Sequence, residues 1–458
     1  MTSTLDVSAF GDDALGDHDA VGLINELRTG SVHADELTAA AIARAQGVEH
    51  RLNAVVSWAP QPAPGAGTFA GVPSFVKDNE NVVGLSTRHG SRATPRSAAT
   101  VNSPFVESFL AAGFTVLGKS SMPEFGLTAS TEPLLNGPAR NPWNTEHSTG
   151  GSSGGAAALV ASGVVPLAHG NDGGGSIRIP ASCCGLVGLK PSRGRLPLDP
   201  GLDALPVGIV AQGVLTRSVR DTALFYATMD DVSPDLPPIG HITAPGTRRL
   251  RVAVITEAMS AMPVAPDVAE TVTRTARLCE SLGHHVEHIA FPFPEQFGHD
   301  FLRYWAGLAF VTELGGRRMY GPEFDRTALE PLTLGLSRYF RTVAARTPAS
   351  LKRLRAFGDE YARLLAPYDV LLTPVLAHAA PPIGYLAPDL PFETHLIRLL
   401  RYSSFTAIQN VAGVPAISLP LGTSSDGMPI GVQAAAGYGQ EAMLLGLAYE
   451  LEEAAPWR

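Results

Sequence analysis

Cysteine is nearly missing from this sequence. Three occur in 458 residues, with Cys183 and Cys184 adjacent and Cys279 alone. Three thiols cannot close as pairs, which argues against a disulfide framework and for a reducing, cytoplasmic setting. Long apolar runs are missing too. The longest, Ala156 to Ala168, is broken by Ser162, Gly163 and Pro166, and it falls short of the ~20 residues that cross a bilayer. The first twenty residues are acidic and hold no apolar stretch, so no secretory leader is expected. Basic clusters are absent and the formal net charge is −9, which argues against nucleic acid or an anionic membrane as partner.

Apolar residues are plentiful at 45%, enough to bury a large core. With 47 Gly and 37 Pro, the chain is also rich in turns. Helical spacing marks two segments within 19–46, separated by Gly30 as a C-cap. A loop follows at 60–67, then a buried strand from Phe69 to Val76 that runs into Lys77-Asp78-Asn79. Helices are expected at 105–112, 156–162, 267–282 and 443–453, and through most of 300–365. Strands are expected at 114–117 (ended by Gly118), 164–168, 251–256, 370–373 and 416–419. Residues 136–155 read as a loop, 235–247 as a crossover, and Asp426-Gly427 as a hairpin turn. Alternating strands and helices predict an α/β fold, with a central sheet covered by helices on both faces.

Three short strings mimic catalytic motifs. Gly113 to Ser120 fits the phosphate-binding loop pattern, but its middle residues are apolar and a helix precedes it. Ser74-Phe-Val-Lys77 fits the S-x-x-K string, yet the S-D-N and K-T-G partners are absent. Gly150-Gly-Ser152-Ser-Gly154 fits a nucleophile elbow, but the preceding NPWNTEHST is unlike a strand. His284, His285 and His288 follow a helix cap at Gly283 and read as surface histidines, not metal ligands.

Taken together, Lys77, Ser152 and Ser176 make better chemistry. A serine hydroxyl is a weak nucleophile that needs a base. A lysine can be that base once burial lowers its pKa, and a second hydroxyl can relay the proton. Ser152 and Ser176 both lie in Gly-rich loops, where backbone approaches a ligand closely. The consecutive N–H groups at Gly173, Gly174 and Gly175 can hold a developing oxyanion.

Lys77, GGSSGG at 150–155 and GNDGGGSIRIPASCCGLVGLKPSRGR at 170–195 resemble the amidase signature family. The intervals agree: 75 residues separate Lys77 from Ser152, and 24 separate Ser152 from Ser176. GVPSFVKDN, LGKSSMPEFG, NPWN, LTRSVRD, NVAGVPAISLP and GMPIGVQ match as well, so the resemblance spans about residues 20–455. It implies one amidase-signature domain over 1–458, with a catalytic core at about 70–220 and helical pocket insertions at about 300–405.

The resemblance also implies site roles. Ser176 is the nucleophile, Ser152 a bridging serine after a cis Gly151–Ser152 bond, and Lys77 the base. Backbone N–H groups of Gly173, Gly174, Gly175 and Ser176 form the oxyanion hole. Asp172 and Arg178 brace the loop, Ser153 supports, and no metal or cofactor is implied. The family usually carries Thr at the position of Asn171 and a bulkier residue at that of Gly173, which here widens the acyl side. The loop at 60–67 is shorter than the helix most members place there.

STEPLLNGPARNPWN and the C-terminal segment resemble the branch holding 6-aminohexanoate cyclic-dimer hydrolase, and length and spacing resemble bacterial urethanases. The implied substrate is a small uncharged amide, anilide or carbamate, and the implied assembly a monomer or homodimer. Specificity is expected in residues 190–215, where Arg195 marks a possible pocket loop, and in 300–405, with Phe301, Tyr304, Trp305, Phe310, Tyr339, Phe340 and Tyr402. The alternative is an A-type amidotransferase subunit that supplies ammonia to a tRNA-dependent partner.

Overall fold

The computed structural model describes residues 6–230, 236–259 and 262–457. Residue 235 of the expected crossover lies outside them. The strands are β1 (Val55–Trp58), β2 (Pro73–Lys77), β3 (Thr115–Ser120), β4 (Arg140–Asn141), β5 (Asn144–Ser148), β6 (Leu167–Asp172), β7 (Val187–Lys190), β8 (Ala211–Thr216), β9 (Arg251–Val254), β10 (His285–His288), β11 (Val370–Pro374), β12 (Ala416–Thr423) and β13 (Pro429–Ala436). The main sheet runs β10-β9-β11-β13-β12-β7-β8-β6. Its β10, β9 and β11 are mutually parallel, while the remaining pairs are antiparallel.

Side-chain alternation along these strands shows both faces covered. Val252, Val254, Val370 and Leu372 enter one core, shared with the helices Pro266–Ser281 and Glu441–Ala454. Their neighbours Ala253, Ile255 and Leu371 enter another, shared with the helices Gln296–Tyr320 and Thr347–Leu364. The expected α/β architecture with helices on both faces is therefore present. Among the described residues, no helix is long and apolar enough to cross a membrane.

A second, three-stranded sheet, β1-β3-β2, flanks β6. Side chains join the two: Ser74 Oγ donates to the Leu167 carbonyl at 3.0 Å, and the Lys77 N–H donates to His169 Nδ1 at 3.1 Å. All five residues of β2 are buried, the polar Ser74 and Lys77 among them. The helix Gly154–Ala161 is likewise buried on every side. Its glycines permit the approach, because a Cβ at Gly155 would lie 2.4 Å from the Ser121 nitrogen.

Several boundaries differ from expectation, each for a local reason. The strand expected from Phe69 begins at Pro73, because a turn closes from Val72 N to Phe69 O at 3.0 Å. β3 does not stop at Gly118. That glycine lets β1 come close, since a Cβ there would lie 2.1 Å from Ser57 O. Lys119 of the phosphate-loop string is thus a strand residue, ion-paired to Asp78 at 2.9 Å. The strand expected at 164–168 is displaced to 167–172, where the polar Asn171 and Asp172 pair with Gln212 and Ala211. The loop at 136–155 contains the β4–β5 hairpin, held by Asn141 Nδ2 on the carbonyls of Ser148 and Cys183.

His284 is buried, not at the surface: its Nδ1 accepts the Leu250 N–H at 3.0 Å, and its Nε2 meets Glu450 at 3.0 Å. His285 and His288 are exposed on β10.

Between β3 and the sheet, Phe114 stacks on Phe69 and Phe109, with ring centroids 4.3 and 4.0 Å apart, and is fully buried. Phe114→Ala is expected to lose about 3–5 kcal/mol of stability. Urea unfolding of the variant against wild type measures it.

Candidate active site

Lys77 closes β2 deep inside the molecule and is wholly buried. Its ammonium group is out of water yet meets only neutral partners. Nζ contacts Ser152 Oγ at 2.8 Å, Ser153 Oγ at 2.9 Å and Asn171 Oδ1 at 2.5 Å. Burial pulls its pKa down to about 7, against the opposing fields of Asp172 and Glu80. Below Lys77, His169 Nδ1 accepts the backbone N–H, so its proton resides on Nε2 and donates to Gln212 Oε1 at 3.0 Å. Gln212 Nε2 then donates to Glu80, which also accepts from Ser103. Burial holds His169 neutral, at about 3.

Ser152 and Ser153 lie in the turn before the helix Gly154–Ala161, and the Gly151–Ser152 peptide bond is cis. The packing leaves no slack at this turn. A Cβ on Gly151 would strike the Ser130 backbone at 2.6 Å, and one on Gly126 would reach Ser152 Oγ at 3.0 Å. Asn171 and Asp172 end β6. The chain then turns through Gly173–Ser176 into the helix Arg178–Cys184.

Asp172 organises that turn. Its Oδ1 accepts the Gly175 N–H at 2.7 Å and its Oδ2 the Ile177 N–H at 3.2 Å. Arg178 grips the carboxylate with two bonds of 2.9 Å each, and Asn410 Nδ2 donates to it at 2.8 Å. Burial alone would raise the Asp172 pKa, but the Arg178 guanidinium holds it well below the usual carboxylate range. Arg178 in turn donates to Gln409, Asn410 and Gln433. The loop is thereby tied to the helix Ala407–Ala412 and to β13.

This arrangement corrects one expected donor. The Gly175 N–H is spent on Asp172, whereas the N–H groups of Gly173, Gly174 and Ser176 have no acceptor among the described residues. Gly175 has another duty. Its φ is +132°, and a Cβ would fall 2.3 Å from Thr406 Oγ1, so no other residue fits. Ser176 is buried, and its hydroxyl makes no hydrogen bond among the described residues, to Ser152 included.

Aromatic side chains face the loop from outside. Cβ atoms at Gly173 and Gly174 would find room, with Trp305 at 3.8 to 3.9 Å and Phe301 at 3.5 Å. Phe301 stacks on Trp305, whose Nε1 donates to Leu127 O at 3.1 Å. Phe125 and His89 both have φ near +50°, and their rings lie 5.9 Å apart beside Tyr320.

The other expected pocket aromatics serve the core. Tyr304 bonds the Val207 carbonyl, Phe310 packs on Phe340, Tyr339 joins the cluster around Leu336, and Tyr402 holds Cys183. Arg195 does not join the site. It is buried against Glu441 at 2.9 Å and Asp230 at 2.6 Å, where it ties the segment after β7 to the last helix. A cavity of about 510 Å³ lined by Arg193, Tyr361, Leu365, Val414 and Tyr438 lies elsewhere and includes none of the site residues.

Residue roles that the sequence did not reveal are Asn171 as a lysine partner, His169 and Gln212 beneath it, and Gln409 and Asn410 around Arg178. The GMPIGVQ string contained Gln433, a residue-level signal without an assigned contact. Arg178→Met would leave the Asp172 charge buried and unpaired, with an expected loss of about 3–5 kcal/mol. Thermal and urea unfolding at neutral pH check this.

Residues 36–445 match the Amidase family model. A Mycobacterium leprae protein provisionally assigned as amidase AmiC is 51% identical over 461 residues, covering 98% of each chain. Among solved structures, 6-aminohexanoate cyclic dimer hydrolase complexed with substrate superposes with a TM-score of 0.86 at 33% identity, over 96% of this chain and 98% of that one. A bacterial aryl acylamidase of the amidase signature enzymes gives 0.82 at 27%, over 96% of each.

Proposed function

Because the chain belongs to the amidase signature family and hydrolyses amides, we propose that it does so through Ser176, with a proton relay from Ser176 through Ser152 to Lys77. The observation that carries this is the buried Lys77 amine, 2.8 Å from Ser152 Oγ and lowered to about 7. Neutral Lys77 takes the Ser152 proton, Ser152 takes the Ser176 proton, and Ser176 Oγ attacks the substrate carbonyl. The oxyanion that forms is met by the N–H groups of Gly173, Gly174 and Ser176, three preorganised donors. The proton returns along the relay to the departing nitrogen, which leaves as the amine. Water, deprotonated by the same relay, then releases the acid from the Ser176 ester.

Phe301 and Trp305, which face Gly173 and Gly174, favour an uncharged, partly aromatic substrate. An anilide, a lactam or an aryl carbamate fits this description. A carbamate presents the same carbonyl and nitrogen leaving group, and its cleavage yields amine, alcohol and CO2. The unit of function is the single amidase domain over 1–458, needing no cofactor and acting as a monomer or homodimer. Three buried free cysteines support a cytoplasmic setting.

The sign of the pH dependence follows from the base. Below about pH 7 Lys77 is an ammonium that cannot accept a proton, and above it the amine is free. Activity on a p-nitroanilide is expected to rise through about pH 7. Lys77→Ala should lose about 10²–10⁴-fold in kcat, and a sulfonyl fluoride should label Ser176. A wild-type rate in Lys77→Ala, or labelling at another residue, contradicts the mechanism. Release of ammonia from glutamine in preference to anilides would instead support the amidotransferase-subunit alternative.

A further inference from the structure

We propose that Asn171 is a positioning residue that aims the Lys77 lone pair at Ser152; the inference rests on the reading of Lys77 as the base. The argument is one of donors and acceptors. Beyond Cε, a lysine nitrogen has three tetrahedral directions, and three groups meet them: Asn171 Oδ1, Ser153 Oγ and Ser152 Oγ, at 2.5, 2.9 and 2.8 Å. An amide oxygen only accepts, so one N–H points at Asn171 whether the amine is charged or neutral. Ser153 directs its own proton to the Asn171 carbonyl at 3.4 Å, so it offers Nζ a lone pair and takes the second N–H. Ser152 Oγ has no other hydrogen-bond partner among the described residues, and the third direction faces it. In the neutral amine that direction is the lone pair.

A hydroxyl at position 171 would not impose this order, because it can donate as well as accept. It could place its proton on Nζ and consume the lone pair. The amide oxygen removes that alternative, and strand pairing of Asn171 with Gln212 holds the backbone that carries it.

The groups that set the field at Nζ lie on every side. Asp172 is gripped by Arg178, with Lys190 beyond, and Glu80 is held by Ser103 and Gln212. His169 on β6 and Lys119 on β3 lie on neighbouring strands, Asp78 follows Lys77 directly, and the helix Gly154–Ala161 contributes no titratable side chain. Two substitutions at 171 therefore act in opposite directions on one background. Asn171→Asp keeps an acceptor but adds a negative charge, which favours the ammonium. Asn171→Leu keeps the size but removes the acceptor, which disfavours the ammonium and frees the lone pair to turn.

The test is the pH profile of kcat/KM on a p-nitroanilide for wild type and both variants, with KM measured separately and Ser176 labelling by a sulfonyl fluoride in parallel. For Asn171→Asp the acidic limb should move to higher pH by about 1–3 pH units. For Asn171→Leu it should move to lower pH, with kcat down on the order of 10- to 100-fold and KM unchanged. Either variant alone decides the matter if the other fails to fold. Unmoved profiles with kcat within twofold of wild type overturn the proposal. So does a faster Asn171→Leu enzyme, which would mean that the amide nitrogen had been occupying the lone pair. A wild-type rate in Lys77→Ala run alongside would instead overturn the base assignment, leaving the two failures distinguishable.

Discussion

The whole site depends on one desolvated amine. Lys77 is buried without a carboxylate to pair with, and that makes a lysine usable as a base near neutral pH. The two carboxylates whose fields reach it could have undone this by forming ion pairs. Asp172 is instead committed to Arg178 and to backbone N–H groups, and Glu80 to Ser103 and Gln212. Both still raise the Lys77 pKa, but burial outweighs them. An ion pair would have stabilised the ammonium form and removed the chemistry.

The same commitment of Asp172 shapes the Gly173–Ser176 loop. One carboxylate orders Gly175 and Ile177, receives Arg178, and through Asn410 connects to the helix Ala407–Ala412. Rigidity is gained by using the Gly175 N–H, while those of Gly173, Gly174 and Ser176 have no acceptor among the described residues. Gly173 and Gly174 then lie open toward Trp305 and Phe301, whereas Gly175 is enclosed by Thr406 and Ile179. Three consecutive glycines thus do two different jobs, two facing aromatic side chains with room to spare and one fitting a space too small for any side chain.

Much of this was legible in the sequence because the chemistry is concentrated in short Gly-rich strings. Lys77, Ser152, Ser153, Asp172, Ser176 and Arg178 are all found within one buried region. Apolar patterning located most helices and the strands around 251, 370 and 416, whose residues face packed cores. It failed where polar residues occupy strands for reasons of function or pairing. β6 continues into Asn171 and Asp172, which pattern reading took for loop, and Gly118 is a close-approach glycine inside β3 rather than an end. Partnerships between distant segments were the least visible. Arg195 reads as a loop arginine until Glu441, 246 positions away, is placed against it. His284 reads as a surface residue until Glu450 closes over it.

Direct titration of the Lys77 amine tests the central claim most closely. Heteronuclear NMR of protein labelled at lysine Cε and Nζ, with Lys77 assigned by substitution to arginine, follows that one group as pH is raised. The account predicts a midpoint near 7, well below the usual lysine range, in enzyme free of substrate. A Lys77 that stays protonated to pH 10 would contradict it.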